Sequence, residues 1–251
     1  MNRDAYDEMR ALEDQHWWFR GRRSALREHV KHALASAPRG PVLDVGSGTG
    51  ATLAWLAGLT DPARLIGLEP EARALELARG RGLCVHLLCA DATRLPFARS
   101  SVALVLCLDV LEHIEDDAAA CLELARVLPP GGQLIVTVPA GPGLWSGHDV
   151  ALGHRRRYAR GELEGRLEAA GFEVEARHGF MLALWPLVWL VRRWRRTAVG
   201  SPDAAKPKTD FSSLPRPVNL ALAKWLAIES RCQRALGIGS GVSLVIRARR
   251  R

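Results

Sequence analysis

Much of what this 251-residue sequence lacks narrows its function. It has no stretch of about 20 apolar residues, the length a helix needs to cross a bilayer. Its longest apolar run is twelve residues, Phe180 to Val191. No apolar leader follows Met1, so the sequence reads as cytoplasmic rather than secreted. The five cysteines, Cys84, Cys89, Cys107, Cys121 and Cys232, form no CxxC pair and have no histidine at ligand spacing. They read as reduced thiols, mostly buried, and argue against a metal site. No internal repeat and no RNA-binding module is visible.

What is present is ordinary for a globular protein: 48% hydrophobic and 25% charged residues, enough for one large α/β domain with an ample core. The charge is uneven. Residues 1–139 carry 15 Lys/Arg against 18 Asp/Glu, whereas residues 140–251 carry 20 against 9. A basic second half fits an anionic substrate, a membrane surface or nucleic acid, and charge alone does not choose among them.

Between Pro41 and Pro139, short β-branched runs alternate with helical stretches. Strands are expected at Val42–Val45, Arg64–Glu69, Val85–Leu88, Val102–Leu108 and Gln133–Val138. Helices are expected at Thr49–Leu59, Glu71–Arg81 and Asp116–Leu128, with Pro129-Pro130-Gly131-Gly132 as a break. This alternation predicts a parallel sheet with helices on both faces. Further on, the pattern predicts a helix at Arg160–Ala170, a strand at Glu173–Arg177, a helix at Val218–Leu236 and a last strand at Val242–Ala248. Gly200–Pro217, rich in Pro, Ser, Lys and Asp, reads as a mobile loop.

Asp44-Val45-Gly46-Ser47-Gly48-Thr49-Gly50 falls where the first strand gives way to the first helix. Glycines there allow a sharp turn and close approach of a ligand to the backbone. Gly46, Gly48 and Ala51 also satisfy the dinucleotide fingerprint, so the turn alone is ambiguous. The acids tip the balance. Asp44 precedes the glycines, where a carboxylate suits an ammonium group and does nothing for a pyrophosphate. Glu69 ends the second strand, placed to bind two ribose hydroxyls. Asp91, followed by Ala92, comes after the third strand, within reach of an exocyclic amine. Three acids at three successive strand ends match a ligand with ammonium, ribose and adenine groups.

VLDVGSGTG, LIGLEP, CADATRLPF, LCLDVLEHI and LPPGGQLIVTVP stand in order over residues 42–139. In this the chain resembles the class I S-adenosylmethionine-dependent methyltransferases. The resemblance implies a Rossmann-like seven-stranded fold, sheet order 3-2-1-4-5-7-6, and S-adenosyl-L-methionine as cofactor. It implies that Asp44, Gly46, Ser47, Gly48 and Gly50 surround the methionine part, Glu69 and Pro70 the ribose, and Asp91 and Ala92 the adenine. Leu108 and Asp109 would lie beside the transferred methyl, and Glu112 and His113 near the cofactor pocket. Glu112 and His113 also fit a plain capping role for the turn after the fourth strand.

Two flanking motifs, His16-Trp17-Trp18-Phe19 and Gly153-His154-Arg155-Arg156-Arg157-Tyr158, resemble a bacterial small-molecule subgroup of that class. In the class such an N-terminal extension and such a post-strand loop build a lid and an acceptor pocket. His148 and His154 are the candidate bases, with Asp149 as orienting carboxylate. His16, Trp17, Trp145, Arg155, Arg156, Arg157 and Tyr158 are candidate substrate contacts, the arginines suiting a phosphate or carboxylate. Ion pairing of the arginines with helix acids and packing of Tyr158 are the competing roles.

The whole reads as a single methyltransferase domain: residues 1–40 an N-terminal lid, 41–140 the cofactor-binding core, 141–178 the acceptor side, 179–240 a helical cap inserted between the last two strands, and 241–251 the final strand. In the insertion, Trp185, Trp189, Trp194 and Trp225 accompany an apolar stripe bordered by arginines. Either an interfacial helix at Phe180–Arg196 or two cap helices packed on each other fits this pattern. The expected reaction is O-methylation of a small anionic or lipid-like acceptor, with peripheral contact to an anionic membrane left open and nucleic acid disfavoured. N- or C-methylation, or a membrane-associated protein that binds the cofactor without turnover, are the alternatives.

Overall fold

The computed structural model describes residues 3–197 and 214–251, the side chains of 3–5 and 193–197 excepted. Two helices, α1 (Arg3–Leu12) and α2 (Trp17–Ser36), precede the first strand. The alternating part runs β1 (Val42–Val45), α3 (Ala51–Leu56), β2 (Leu65–Leu68), α4 (Ala72–Arg79), β3 (His86–Leu88), β4 (Leu104–Leu108), α5 (Asp117–Val127) and β5 (Gln133–Pro139). Then follow α6 (Gly147–Leu152), α7 (Glu162–Ala169), β6 (Phe172–Phe180), α8 (Trp185–Thr197), α9 (Arg216–Ala235) and β7 (Ser243–Arg250).

The sheet order is β3-β2-β1-β4-β5-β7-β6, as the resemblance implied. Strands β1 to β5 are parallel, and β7 runs antiparallel between β5 and β6. The central strands β1, β4 and β5 are buried on both faces, which their unbroken apolar runs require. One face is covered by Leu26, Val30 and Ala33 of α2 and Leu53 and Leu56 of α3. The other is covered by Cys121 and Leu124 of α5 and Leu163 and Leu167 of α7. Each such leucine contributes about 1.5–3 kcal/mol by leaving water.

The differences from expectation lie at glycines and in the insertion. The helix expected over Thr49–Leu59 starts at Ala51, because Gly50 takes the left-handed conformation (φ 83°) as its N-cap. The helix expected from Arg160 starts at Glu162 behind Gly161, at φ 80°. Phe180 stays in β6, and the following Met181 turns the chain at φ 63°, so the helix of the apolar run begins only at Trp185. Arg216 and Pro217, expected in the loop, open α9; the rest of that loop up to residue 213, and the Trp194 side chain, lie outside the described residues.

The cap also assembles differently from two helices packed on each other. Helix α9 lies along α2, with Leu226 so close to Gly21 that any side chain at 21 would collide with it. Helix α8 instead rests on the short turn Pro142–Leu144, and Arg192 Nη1 donates to the Leu144 carbonyl at 2.6 Å.

Candidate active site

The turn after β1 builds the floor of a cavity of about 340 Å³ at the carboxyl ends of the parallel strands. Gly46 and Gly48 both have left-handed φ, 70° and 52°, and the Gly46 and Ser47 amides donate to the Leu68 carbonyl at 2.8 and 3.0 Å. A side chain at Gly46 would strike Val110. Glu69 accepts from the Gly48 amide at 2.9 Å, the Glu71 amide at 3.3 Å and the Tyr6 hydroxyl at 3.3 Å. Burial nonetheless raises its pKa. Asp44 is fully enclosed, with no hydrogen-bond partner on Oδ2. Burial pushes its carboxyl up to about 7, against the pull of Arg22 and with a push from Glu69.

Helix α1 closes this cavity from above through Tyr6, Met9 and Glu13. It is tied down at both ends. Asp7 meets Arg73 at 2.6 Å, and Arg81 reaches both Asp14, at 3.3 Å, and Glu13, which also accepts from the Thr49 hydroxyl.

A second cavity of about 340 Å³ lies beside the first, under α8. His16, Trp17, Glu112, His148, Arg157, Arg192 and the apolar Met181, Leu184, Leu187, Val188 and Val191 are among its lining. Behind its polar end lies Asp149, 0% exposed, in the first turn of α6. Asp149 Oδ1 takes His154 Nδ1 at 3.0 Å and Arg157 Nε at 2.7 Å, while Oδ2 takes the Ser146 amide at 2.9 Å. Burial alone would raise the Asp149 pKa, but the His154 hydrogen bond and Arg157 outweigh it and hold the carboxyl well below the usual range.

Trp18, Asp109, Leu152 and His154 line both cavities, so the two meet there. Asp109 leaves β4 at φ 59°, held by an ion pair with Arg22 and by the Thr137 hydroxyl at 3.0 Å. The Arg22 guanidinium stacks over Trp18, 5.0 Å from the ring centre. Because His154 Nδ1 is engaged by Asp149, its Nε2 is the ring atom left for other work, and it lies 3.8 Å from Glu112 Oε1. Glu112 is 0% exposed, and neither carboxyl oxygen has a hydrogen-bond partner. Burial, reinforced by Asp109, raises its pKa well above the ordinary value.

The structure thus gathers Asp44, Gly46, Ser47, Gly48, Glu69, Pro70, Leu108, Asp109 and His113 around the first cavity, and His16, Trp17, His148, His154 and Arg157 around the second. Asp149 stands directly behind His154. Several candidates are placed elsewhere. Gly50 caps α3 and faces Ala78 and Arg81. Asp91 is exposed and turns its carboxylate onto Thr93, with Ala92 beside it outside the lining. Trp145 is half-buried and also outside the lining.

Of the arginine run, Arg155 pairs with Glu115 at 3.2 Å and Arg156 with Asp117 at 3.1 Å. The Tyr158 hydroxyl donates to Asp117 at 2.5 Å from within the core. Acids around the start of α5 draw these three side chains away from the cavities, and this corrects their assignment to the substrate. Tyr6, Met9, Glu13 and Arg22 escaped the sequence reading. Their only signal in the sequence is helical spacing within the segment expected to form a lid. Nor did spacing along the chain reveal that Glu112, His113 and His154 present ligand atoms within 4.8 Å of one another.

Comparison with known proteins agrees with this fold. Residues 43–136 match the family described as a methyltransferase domain. A probable S-adenosylmethionine-dependent methyltransferase of Mycolicibacterium smegmatis is 32% identical over 166 residues, 65% of this chain and 62% of that protein. An O-methyltransferase of Penicillium expansum is 36% identical over 117 residues, 44% of this chain and 42% of that protein. The chain therefore spans less than two thirds of the length of these curated relatives. Among solved structures, geranyl diphosphate C-methyltransferase of Streptomyces coelicolor A3(2) superposes with a TM-score of 0.61 at 18% identity, over 91% of this chain and 77% of that one. Sheet order, glycine turn and the match over residues 43–136 are together similar to those of the class I S-adenosylmethionine-dependent methyltransferases.

Proposed function

We propose that this protein transfers a methyl group from S-adenosyl-L-methionine to an oxygen of a small or lipid-like acceptor. The observation that carries this is the pair of cavities meeting at Trp18, Asp109, Leu152 and His154. One has the carboxylates and glycines suited to a sulfonium amino-acid nucleoside. The other is apolar along α8 and polar at its inner end. The cofactor supplies an activated methyl, and the protein aligns the acceptor and keeps water out.

In this reading Glu69 binds the ribose hydroxyls, and Asp44, buried with its Oδ2 unpartnered, receives the ammonium group. The acceptor oxygen attacks the methyl carbon in line, and the carbon–sulfur bond breaks with its electron pair going to sulfur. His154, oriented by Asp149, activates that oxygen, with His148 beside the same cavity. Arg157, which lines the cavity, supplies the positive field for an anionic head.

The apolar body of the acceptor lies along Leu184, Val188 and Val191. Leu190 is 59% exposed at the outer face of α8, and Leu187, which reaches the cavity, is 56% exposed, beside the partly exposed Trp185 and Trp189. Aromatic and aliphatic side chains ahead of arginines suit an anionic lipid surface from which such an acceptor is taken. No described helix is long and apolar enough to cross a membrane.

The test is a turnover screen that follows demethylated cofactor against lipid extracts and hydroxylated or carboxylated small molecules. His154→Ala should lower turnover at least about 100-fold, the scale of a lost acid–base contribution, with cofactor affinity kept. Unchanged turnover in that variant would remove His154 from the reaction. Absence of S-adenosylmethionine binding in calorimetry would remove the whole reading.

A further inference from the structure

We propose that Glu112, His113 and His154 form a binding site for a first-row divalent metal ion at the inner end of the acceptor cavity. This rests on the methyltransferase reading above and specifies how the acceptor oxygen is activated. The ligand atoms already lie within 4.8 Å of one another, and Glu112 Oε1 is 3.8 Å from His154 Nε2. Bonds of about 2.0–2.2 Å to a common ion place its ligands roughly 3–3.5 Å apart. Small side-chain rotations therefore complete the set.

Three features distinguish this trio from a chance cluster. First, each imidazole has its other ring nitrogen engaged as a metal ligand requires. His154 Nδ1 is 3.0 Å from Asp149 Oδ1, and His113 Nδ1 is 3.1 Å from the Gly153 carbonyl. A carboxylate or carbonyl behind each histidine fixes the tautomer that leaves Nε2 as donor to the ion. Second, Glu112 is fully buried with both carboxyl oxygens unpartnered. A buried polar group without partners is destabilising, and a bound cation removes that cost. Third, Gly153, which holds His113, immediately precedes His154, so one short segment positions both rings.

Two imidazoles and one carboxylate form a nitrogen-rich set that suits Zn²⁺, Fe²⁺ or Co²⁺ better than Mg²⁺, Ca²⁺ or Mn²⁺. Three protein ligands leave coordination positions for an acceptor oxygen. A hydroxyl bound there loses its proton more readily, and that proton passes to solvent. The resulting oxyanion forms the new carbon–oxygen bond as the carbon–sulfur bond breaks, sulfur keeping the pair. His154 thus activates the oxygen as a ligand to the ion in place of acting as its base, and Asp149 sets its orientation.

The probe is Co²⁺, added to the full chain after chelation and gel filtration and followed by visible absorption and equilibrium dialysis. One equivalent should bind at micromolar concentration or tighter, with the visible bands of nitrogen and oxygen coordination. Glu112→Gln and His113→Asn should each weaken binding at least about tenfold, while His32→Ala, on a remote face, leaves it unchanged. His113 is exposed, so His113→Asn keeps the fold even if the buried Glu112 variant does not. Circular dichroism and S-adenosylmethionine calorimetry accompany each variant. No bound Co²⁺, or binding that His113→Asn and Glu112→Gln leave intact, overturns the metal site while cofactor binding persists. Loss of cofactor binding by the unaltered chain would instead bring down the methyltransferase reading.

Discussion

Arg22 of α2 pairs with Asp109 at the end of β4, so the N-terminal extension is bonded directly to the point where the two cavities meet. Asp109 has left-handed φ, a conformation a non-glycine residue keeps only when its surroundings hold it. Arg22 also stacks on Trp18 and acts electrostatically on Asp44. Arg22→Met removes all three effects at once. The expected result is a 10- to 100-fold rise in the S-adenosylmethionine Kd, about 1.4–2.8 kcal/mol, read by calorimetry. An unchanged Kd would mean that α2 contributes nothing to the cofactor cavity.

Glu69 joins three elements around that cavity: the glycine turn through Gly48, its own strand end through Glu71, and α1 through Tyr6. Glu69→Ala should weaken S-adenosylmethionine at least about 100-fold, since hydrogen bonds to a charged group are worth about 1.5–3 kcal/mol each. Tyr6→Phe removes one contact and should cost about threefold to tenfold. Equal losses in the two variants would show that Glu69 serves only to dock α1.

Asp149 carries the charge balance of the acceptor side. It is buried against Arg157 and His154, with Arg192 at 3.6 Å. Asp149→Asn leaves buried cations short of their counter-charge, so a stability loss of about 3–5 kcal/mol is expected in denaturant unfolding. Asp149→Leu should lose at least as much, because the cations remain. A loss below about 1 kcal/mol for both would show that this network is open to solvent.

The N-terminal half was legible because its chemistry is written in consecutive residues. Asp44 to Gly50 make one turn, and the strand ends at Glu69 and Asp109 follow from unbroken apolar runs that must be buried. Asp91 shows where that logic stops: ending a strand places a residue at the rim, and its own Thr93 captured the carboxylate. The acceptor side was harder because its partners are distant in sequence. Arg156 and Tyr158 meet Asp117 across about 40 residues, and His154 meets Glu112 across a similar gap. A run of three arginines gives charge, whereas only the fold says that each meets an acid and that Arg157 alone also lines the cavity.

Away from the cavities, His29 and His178 hydrogen-bond at 2.8 Å between α2 and β6. Burial, then each other and nearby Arg234 and Arg247, push His29 down to about 3; burial and Arg234 push His178 down to about 4. Around them stand Glu28, Lys31 and His32 of α2, Glu175 and Arg177 of β6, Arg247 of β7 and Arg234 of α9. Both rings are neutral in the folded chain, and in the unfolded chain they take up protons below about 6.5. Stability is therefore full above that pH and falls as pH drops toward 4, by up to about 1.4 kcal/mol per pH unit for each ring. Denaturant unfolding between pH 8 and pH 4 reads the slope. The paired variant His29→Phe/His178→Phe should flatten it, and an unchanged slope would place the acid sensitivity in the carboxylates instead.

The outer face of α8 provides the last check, because it separates a surface helix that meets lipid from one that merely roofs the cavity. Leu187 and Leu190 are more than half exposed, and Trp185 and Trp189 are each 38% exposed. Vesicles of phosphatidylcholine with a fraction of phosphatidylserine should co-sediment the protein at low salt. Binding should weaken as salt rises from about 0.05 to 0.5 M, since the Debye length falls well below 10 Å over that range. Leu190→Ser should reduce binding about threefold to tenfold with cofactor affinity unchanged, because transfer of a leucine to the interface contributes on the order of 1 kcal/mol. Binding that survives the substitution would assign it to the basic charge of residues 140–251 alone. In that case the lipid-like acceptor would lose its delivery route along α8.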